Sequence, residues 1–339
     1  MGFSRQLSTA LFSYLIQNKV RGNQHYPLVL MLEPSFLCNL KCAGCGRIRE
    51  YKDIMDQRLS VEECLAAAVE AGAPIVCLTG GEPLLHPDIE KIVNGIIAQK
   101  RFVNIATNGL LLESSLGKFK PGPYLNLVLH IDSMAETHDR YTGRRGTFDT
   151  AVSAIKAAKN AGFQVLINTT IYKQTKIAEI KQLFTLLAGL RVDGIMIAPA
   201  FSYEAVKEDN FLSREEMVQA FQPIYAMRKQ VPFYNTPLYL DFLAGKLELK
   251  CKPWSTPTRN PRGWKMPCYL ITDNHVGSFS ELMETNWGKY GAGNDPRCSN
   301  CMVHCGFEAA ALSAINRSVP ALWKTVTGVL SKNGRIAKQ

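Results

Sequence analysis

Between residues 28 and 198 the chain alternates short, largely apolar runs with helical patterns, and few folds accommodate that rhythm. The run at 28–32 is continuously apolar, of the kind buried on both faces of a sheet, and 74–79, 102–106, 125–131, 164–171 and 194–198 are further apolar strand candidates. Helical spacing fills 60–71, 88–100, 148–161 and 175–187 between them. Six strands with intervening helices predict parallel βα units, as a doubly wound sheet or a partial barrel. Either way, ligands gather at the carboxyl ends of the strands.

A chain of 339 residues has room for two domains, or for one barrel with an appendage. Residues 1–26 read as an amphipathic helix, with Phe3, Leu7, Leu11, Tyr14 and Leu15 on one face and Arg5, Lys19 and Arg21 on the other. That helix is expected either to pack on the protein's own body or to lie in a membrane interface. Residues 27–200 hold the βα units. In 201–339 the rhythm stops, and 251–294 carries Pro253, Pro257, Pro261, Pro267 and three tryptophans, which predicts a loop-rich region. Residues 307–332 have a helical composition broken at Pro320.

Lys and Arg total 39 against 29 Asp and Glu, a formal net charge of +10 that favours an anionic partner. No run of about 18 apolar residues predicts a spanning helix, and the first residues lack the pattern of a signal peptide. The ten cysteines are clustered rather than spread, which points to metal binding in a reducing cytoplasm.

Directly after the first strand comes Cys38-Asn-Leu-Lys-Cys42-Ala-Gly-Cys45. Three thiolates so spaced suit one face of an iron-sulfur cube with one iron left open. Structural zinc, the competing reading, normally closes its tetrahedron with four protein ligands. Thr79-Gly80-Gly81-Glu82-Pro83 ends the second strand: its glycines admit close backbone approach, and Glu82 offers a carboxylate to an ammonium.

CxxxCxxC followed by GGEP resembles the signature of the radical S-adenosylmethionine superfamily. The resemblance implies a partial (β/α)6 barrel, a [4Fe–4S] cluster on Cys38, Cys42 and Cys45, and S-adenosylmethionine against Gly80, Gly81, Glu82 and Pro83. Thr107-Asn108-Gly109 follows the third strand and His130-Ile131-Asp132-Ser133 the fourth, continuing through His138-Asp139 and Gly143 to Phe148, as in the superfamily's corresponding stretch. By the same resemblance, Asn108, Asp132 and Asn168 meet the sugar and carboxylate of S-adenosylmethionine; read without it, Asp132 and Asn168 are equally strand-end caps.

A second group comprises Cys251, Cys268, Cys298, Cys301 and Cys305, with Gly263 between the first two. It resembles the auxiliary-cluster domains of some radical enzymes, in a shortened form; a second iron-sulfur cluster, zinc and plain packing all remain open here. Cys64 and Cys77 read as small core residues, and His304, between Cys301 and Cys305, as a surface histidine or else a further ligand.

Longer phrases resemble the adenosylhopane synthases of hopanoid biosynthesis: Tyr26 to Pro34, Gln57 to Cys64, Gly80 to His86, Asp241 to Gly245 and Cys301 to Glu308. That implies an adenosyl-transferring enzyme in which a 5'-deoxyadenosyl radical adds to the alkene of diploptene. It also implies a flavodoxin- or ferredoxin-type electron donor, an apolar lipid substrate, a cytoplasmic protein with peripheral contact on the inner membrane face, and no nucleic acid. Trp254, Trp264, Tyr269, Phe279 and Trp287 would wall an apolar cavity, or else form an ordinary aromatic core. The chain departs from those enzymes at Ala106, where they carry a cysteine suited to quenching the final radical, and at 130–133 and 142–145. The alternative is a radical enzyme that abstracts hydrogen from another substrate, in a dehydrogenation, decarboxylation, epimerisation or coupling.

Overall fold

A computed structural model describes residues 3–207 and 209–315; the expected break at Pro320 lies outside the described residues. The apolar runs form six parallel strands, β1 (Val29–Ser35), β2 (Ile75–Gly80), β3 (Phe102–Thr107), β4 (Leu125–His130), β5 (Gln164–Ile171) and β6 (Gly194–Pro199). They lie in the order β6-β5-β4-β3-β2-β1. A doubly wound sheet reverses direction at a switch point; this one winds one way throughout, as barrels do. The fold is a partial (β/α)6 barrel, with β1 and β6 unpaired to each other.

The helices are α1 (Arg5–Val20), α2 (Val61–Ala71), α3 (Ile89–Ala98), α4 (Ala135–Thr142), α5 (Thr147–Asn160), α6 (Ile177–Gly189), α7 (Arg214–Ala226), α8 (Pro237–Leu243) and α9 (His304–Ile315). Ser60 and Glu63 start α2 with reciprocal side-chain-to-backbone bonds, and Gly72, at φ +65°, stops it. The crossover from β3 to β4 holds only single helical turns, at Leu112–Ser115 and Leu116–Lys118.

Alternate residues of each strand point outward, and Leu30, Leu32, Val76, Leu78, Ile105, Leu127 and Ile167 are buried with Ala67, Ile92, Ile96, Ala154 and Leu183 of the helices. The intervening residues face the lumen in levels: Met31, Cys77, Asn104 and Asn126, then Ala106, Val128 and Leu166, then His130, Asn168 and Met196. Cys64 sits in the core as expected. Cys77 does not: strand parity turns it into the lumen.

The apolar face of α1 is covered by the protein itself. Leu7 and Leu11 pack on Phe102, Ile75, Tyr124 and Tyr234, and Leu15 on Leu28 and Ala309. These partners stand at the amino ends of the strands, so α1 floors the barrel. Among the described residues no helix is long and apolar enough to cross a membrane.

Where a loop-rich region was expected, three short strands extend the sheet: β7 (Thr258–Asn260), β8 (Gly263–Pro267) and β9 (Thr272–Val276). β7 runs parallel to β1, and β8 and β9 follow antiparallel. Strands this short, broken by Pro261 and Gly263, leave no readable alternation.

Candidate functional site

Cys38, Cys42 and Cys45 lie half-buried on the loop that leaves β1. Arg49 closes that loop by donating from Nη1 to the carbonyl oxygens of Cys42, at 3.0 Å, and Cys45, at 2.6 Å. Burial pushes the Cys38 thiol up to about 11, with the nearby charges of Glu82 and Cys45 acting the same way. Cys42 is raised by burial and then by Cys45 and Cys38. The three sulfurs therefore sit close enough to repel one another as thiolates, and metal coordination relieves that repulsion by replacing the protons. Among the described residues no three His, Cys, Asp or Glu side chains are placed to hold a single metal ion. A four-iron cube takes one thiolate on each iron, so its three cysteines need not converge on one atom. The donor set fits the cube.

The GGEP segment is stitched to this loop. The amide of Gly81 donates to Ser35 at 3.0 Å and that of Glu82 to Leu37 at 2.8 Å. A Cβ on Gly80, whose φ is +105°, would stand 2.5 Å from the Ser35 carbonyl oxygen. Both glycines are thus required by the backbone running beside them. Glu82 is 2% exposed. Its Oε1 accepts from Thr107 Oγ1 at 2.8 Å and Leu84 N at 3.1 Å, and its Oε2 from Asn108 N at 2.8 Å. Burial raises its pKa against the pull of these three donors.

The strand ends converge as well. Asn108 Nδ2 donates to Asn39 Oδ1 on the cysteine loop at 2.7 Å. Asp132 Oδ2 lies 2.8 Å from His130 Nε2, and its Oδ1 accepts from Thr170 N at 2.8 Å. Burial works to raise Asp132, but the His130 charge and hydrogen bond outweigh it and hold the carboxyl low. Asn168 Nδ2 reaches His130 Nδ1 at 3.2 Å, while its buried Oδ1 has no partner. Asp132 and Asn168 therefore meet through His130, which the sequence reading passed over. The orphaned Asn168 oxygen is the sort of acceptor a bound hydroxyl would satisfy.

Of the His138-Asp139 pair, His138 Nδ1 accepts from Asp132 N at 3.3 Å while its Nε2 is buried without a partner, and Asp139 is structural. Asp139 accepts from Gly146 N at 2.6 Å and Phe148 N at 2.9 Å, capping α5 and fixing the turn 143–146. That turn abuts the cysteine loop, where Ala43 N donates to Tyr141 O at 2.8 Å.

A buried ionic group behind the loop went unread in the sequence. Arg47 Nε lies 3.3 Å from Glu33 and its Nη1 3.4 Å from Glu50, while its guanidinium stacks 4.1 Å from the Tyr269 ring centre. Lys265, on β8, reaches Glu50 at 3.5 Å and donates to Tyr269 O at 3.0 Å. Burial lowers its pKa to about 8, with Arg47 pushing the same way. The group ties the segment after Cys45 to the added hairpin. Charged residues are ordinarily read as surface, so only Glu33, at the end of an apolar run, hinted at it.

Cys251, Cys268, Cys298, Cys301 and Cys305 all line one cavity with Phe201, Tyr269 and Tyr290. Burial raises Cys251 and Cys305, and lifts Cys301 to about 12; neighbouring thiols add to each. A Cβ on Gly306 would stand 2.3 Å from Cys251 Sγ, so glycine is needed there. His304 corrects the surface reading: its Nδ1 is buried without a partner, and burial lowers its pKa to about 4. Trp264 and Trp287 are core residues at 1% and 8% exposure, whereas Tyr269 does wall the cavity.

Residues 32–187 match the family model described as the Radical SAM superfamily, and residues 195–325 that described as Domain of unknown function (DUF3463). The class is thereby set: the barrel belongs to the radical S-adenosylmethionine superfamily, whose members use a [4Fe–4S] cluster and S-adenosylmethionine. The chain is 30% identical over 192 residues to the Fe-coproporphyrin III synthase of Methanosarcina barkeri, covering 54% of this chain and 47% of that protein. It is 29% identical over 217 residues to the GTP 3',8-cyclase of Aquifex aeolicus, covering 62% and 67%. The chain spans about half the length of the first of these. Streptococcus suis SuiB bound to its precursor peptide SuiA shares the fold, with a TM-score of 0.67, 16% identity and coverage of 91% and 76%. So does anSMEcpe with bound AdoMet, at 0.61, 18%, 89% and 96%.

Proposed function

We propose that Cys38, Cys42 and Cys45 hold a [4Fe–4S] cluster, and that Gly80 to Pro83, Asn108, Asp132 and Asn168 hold S-adenosylmethionine beside it. The observation that carries this reading is the pair of backbone bonds from Gly81 and Glu82 to the cysteine loop, which set the carboxylate next to the thiols. Together the cluster and S-adenosylmethionine supply a one-electron cleavage of the sulfonium that yields methionine and a 5'-deoxyadenosyl radical. Glu82 Oε2 takes a single donor from the protein and keeps a second acceptor site for the ammonium. Asp132, hydrogen-bonded to His130, and the Asn168 oxygen are acceptors suited to the ribose hydroxyls. The lumen below, floored by α1, keeps water from the reacting carbon.

The radical would add to the alkene of a polycyclic lipid, diploptene, forming the C–C bond at the expense of the π bond; the carbon radical left on the lipid would take a second electron from a reduced electron carrier and a proton from solvent to give adenosylhopane. The long phrases shared with the adenosylhopane synthases support this choice. An electron comes from a flavodoxin- or ferredoxin-type donor, and the substrate from a membrane that the protein touches peripherally. Four of the five cysteines around the second cavity hold a further iron-sulfur cluster.

The alternative, hydrogen abstraction from a different substrate, is favoured by two observations. Ala106 faces the lumen and offers no quenching thiol. A cavity of about 260 Å³ near the cysteine loop sets Glu50, Glu204 and Arg297 among Phe201, Leu270 and Ile271, so a hydrocarbon placed there would meet three charged side chains. Incubation of the reconstituted protein with S-adenosylmethionine, dithionite and diploptene separates the two. An adenosylated lipid is the expected product; 5'-deoxyadenosine released beside unchanged diploptene would favour the alternative. Absence of any cleavage would overturn both.

A further inference from the structure

The cleavage described above consumes one electron, and the structure shows where it would enter. Lys41 immediately precedes Cys42 and is exposed. Beside it, the turn after α4 carries Arg144 and Arg145, exposed between Gly143 at φ +71° and Gly146 at φ +80°. The would-be Cβ of Gly143 lies 3.5 Å from the Lys41 carbonyl oxygen, so turn and cysteine loop are in contact. Arg140, in the last turn of α4, is a fourth exposed cation. None of the four makes an ion pair among the described residues. The carboxylate in their midst, Asp139, is occupied by the amides of Gly146 and Phe148. Glu136 and Asp149 are the exposed acids on the two flanking helices, leaving four cations against two anions.

Cations crowded on one turn without ion-pair partners repel one another, and a complementary partner would neutralise them. Leu37, beside Cys38 on the same loop, is 48% exposed and adds an apolar contact. Small, electrostatically steered interfaces of this kind are typical of transient electron-transfer encounters.

We propose that Lys41, Arg140, Arg144 and Arg145 form the docking face for an acidic one-electron carrier protein, placing its redox centre against the Cys42 side of the cluster. The proposal rests on the radical reading of the site. One electron leaves the carrier's flavin hydroquinone, which becomes the semiquinone. It is spent in breaking the sulfonium C–S bond, so the cationic sulfur ends as neutral methionine and the carbon as the radical, with no other atom transferred.

The test pairs R144E/R145E with the charge-matched control K118E/K120E, whose exposed lysines lie on the connection leading to the opposite end of β4. Oxidised flavodoxin, titrated at low salt, should bind the wild type and the control alike and the R144E/R145E variant at least tenfold more weakly. Photoreduced flavodoxin should then drive S-adenosylmethionine cleavage at least tenfold more slowly in that variant, while dithionite drives it at the wild-type rate. Added salt should depress the flavodoxin-driven rate of the wild type and leave the variant nearly unchanged. Equal flavodoxin binding by variant and wild type would overturn the docking face. An equal loss with dithionite would also overturn it, assigning the turn to cofactor or anionic-substrate binding instead. No cleavage by the wild type with dithionite would sink the radical reading, while the binding comparison would still decide the docking face.

Discussion

A side chain on Gly81 would stand 2.2 Å from the carbonyl oxygen of Leu37, so the segment that supplies Glu82 and the loop that supplies the cysteines can meet only through a residue with no Cβ. The close approach makes the two motifs one unit, although Gly81 lies 44 positions beyond Leu37 in the chain. Gly81→Ala should therefore force the segments apart at a cost of about 1–3 kcal/mol. We expect a lower Tm in thermal unfolding together with reduced iron after reconstitution; an unchanged iron content would show that the loop does not depend on this contact.

Replacing Cys38, Cys42 or Cys45 singly by Ala should abolish S-adenosylmethionine cleavage and leave the far-ultraviolet circular dichroism intact, because the loop lies outside the barrel core. Chromatographic assay of 5'-deoxyadenosine checks it. Retained cleavage in any of the three would remove that cysteine from the ligand set.

Glu82→Gln removes a charge but keeps the shape. Losing one charge-assisted hydrogen bond, worth about 1.5–3 kcal/mol, should weaken S-adenosylmethionine binding by about 10- to 100-fold in calorimetric titration of the reconstituted protein. Equal affinities would mean that the carboxylate serves only Thr107, Leu84 and Asn108.

Glu308 is buried on α9, where burial raises its pKa to about 7 against the donors Thr236 and Asn235. Its folded pKa exceeds its unfolded value, so the stability it contributes is complete at low pH and is lost as pH rises through about 7. Relative to Glu308→Gln, the wild type should lose about 2–4 kcal/mol between pH 4.5 and 7.5, read from urea unfolding of both proteins across that range. Parallel pH profiles would place a stable charge at this position.

For the second cysteine group, the variant lacking Cys298, Cys301 and Cys305 should carry about four irons where the wild type carries about eight. Iron and sulfide assays decide it. Equal content would return the five thiols to packing.

Much of the barrel was legible because burial on both faces leaves a run such as Leu28 to Leu32 apolar throughout, and because a three-thiol loop has few other uses. The carboxyl region was not. Lys265 is fully buried on β8 and Asn260 on β7; such residues signal surface in a sequence, and the carboxylates that meet them inside, Glu50 and Glu33, stand more than 200 positions away. The direction of Cys77 was illegible for another reason: periodicity assigns it to one face of β2, but only closure of the sheet says which face is the lumen. His130 was passed over because its role comes from bridging Asp132 and Asn168 across two strands.

With α1 laid across the amino ends of the strands, the barrel is a cup and not a tube. A floor at that end leaves two ways in, past the rim at the carboxyl ends of the strands or through the gap between β1 and β6, which are not paired to each other. On the proposed reading the first would be shared with the nucleoside, so the gap is the approach a second guest could use without displacing it.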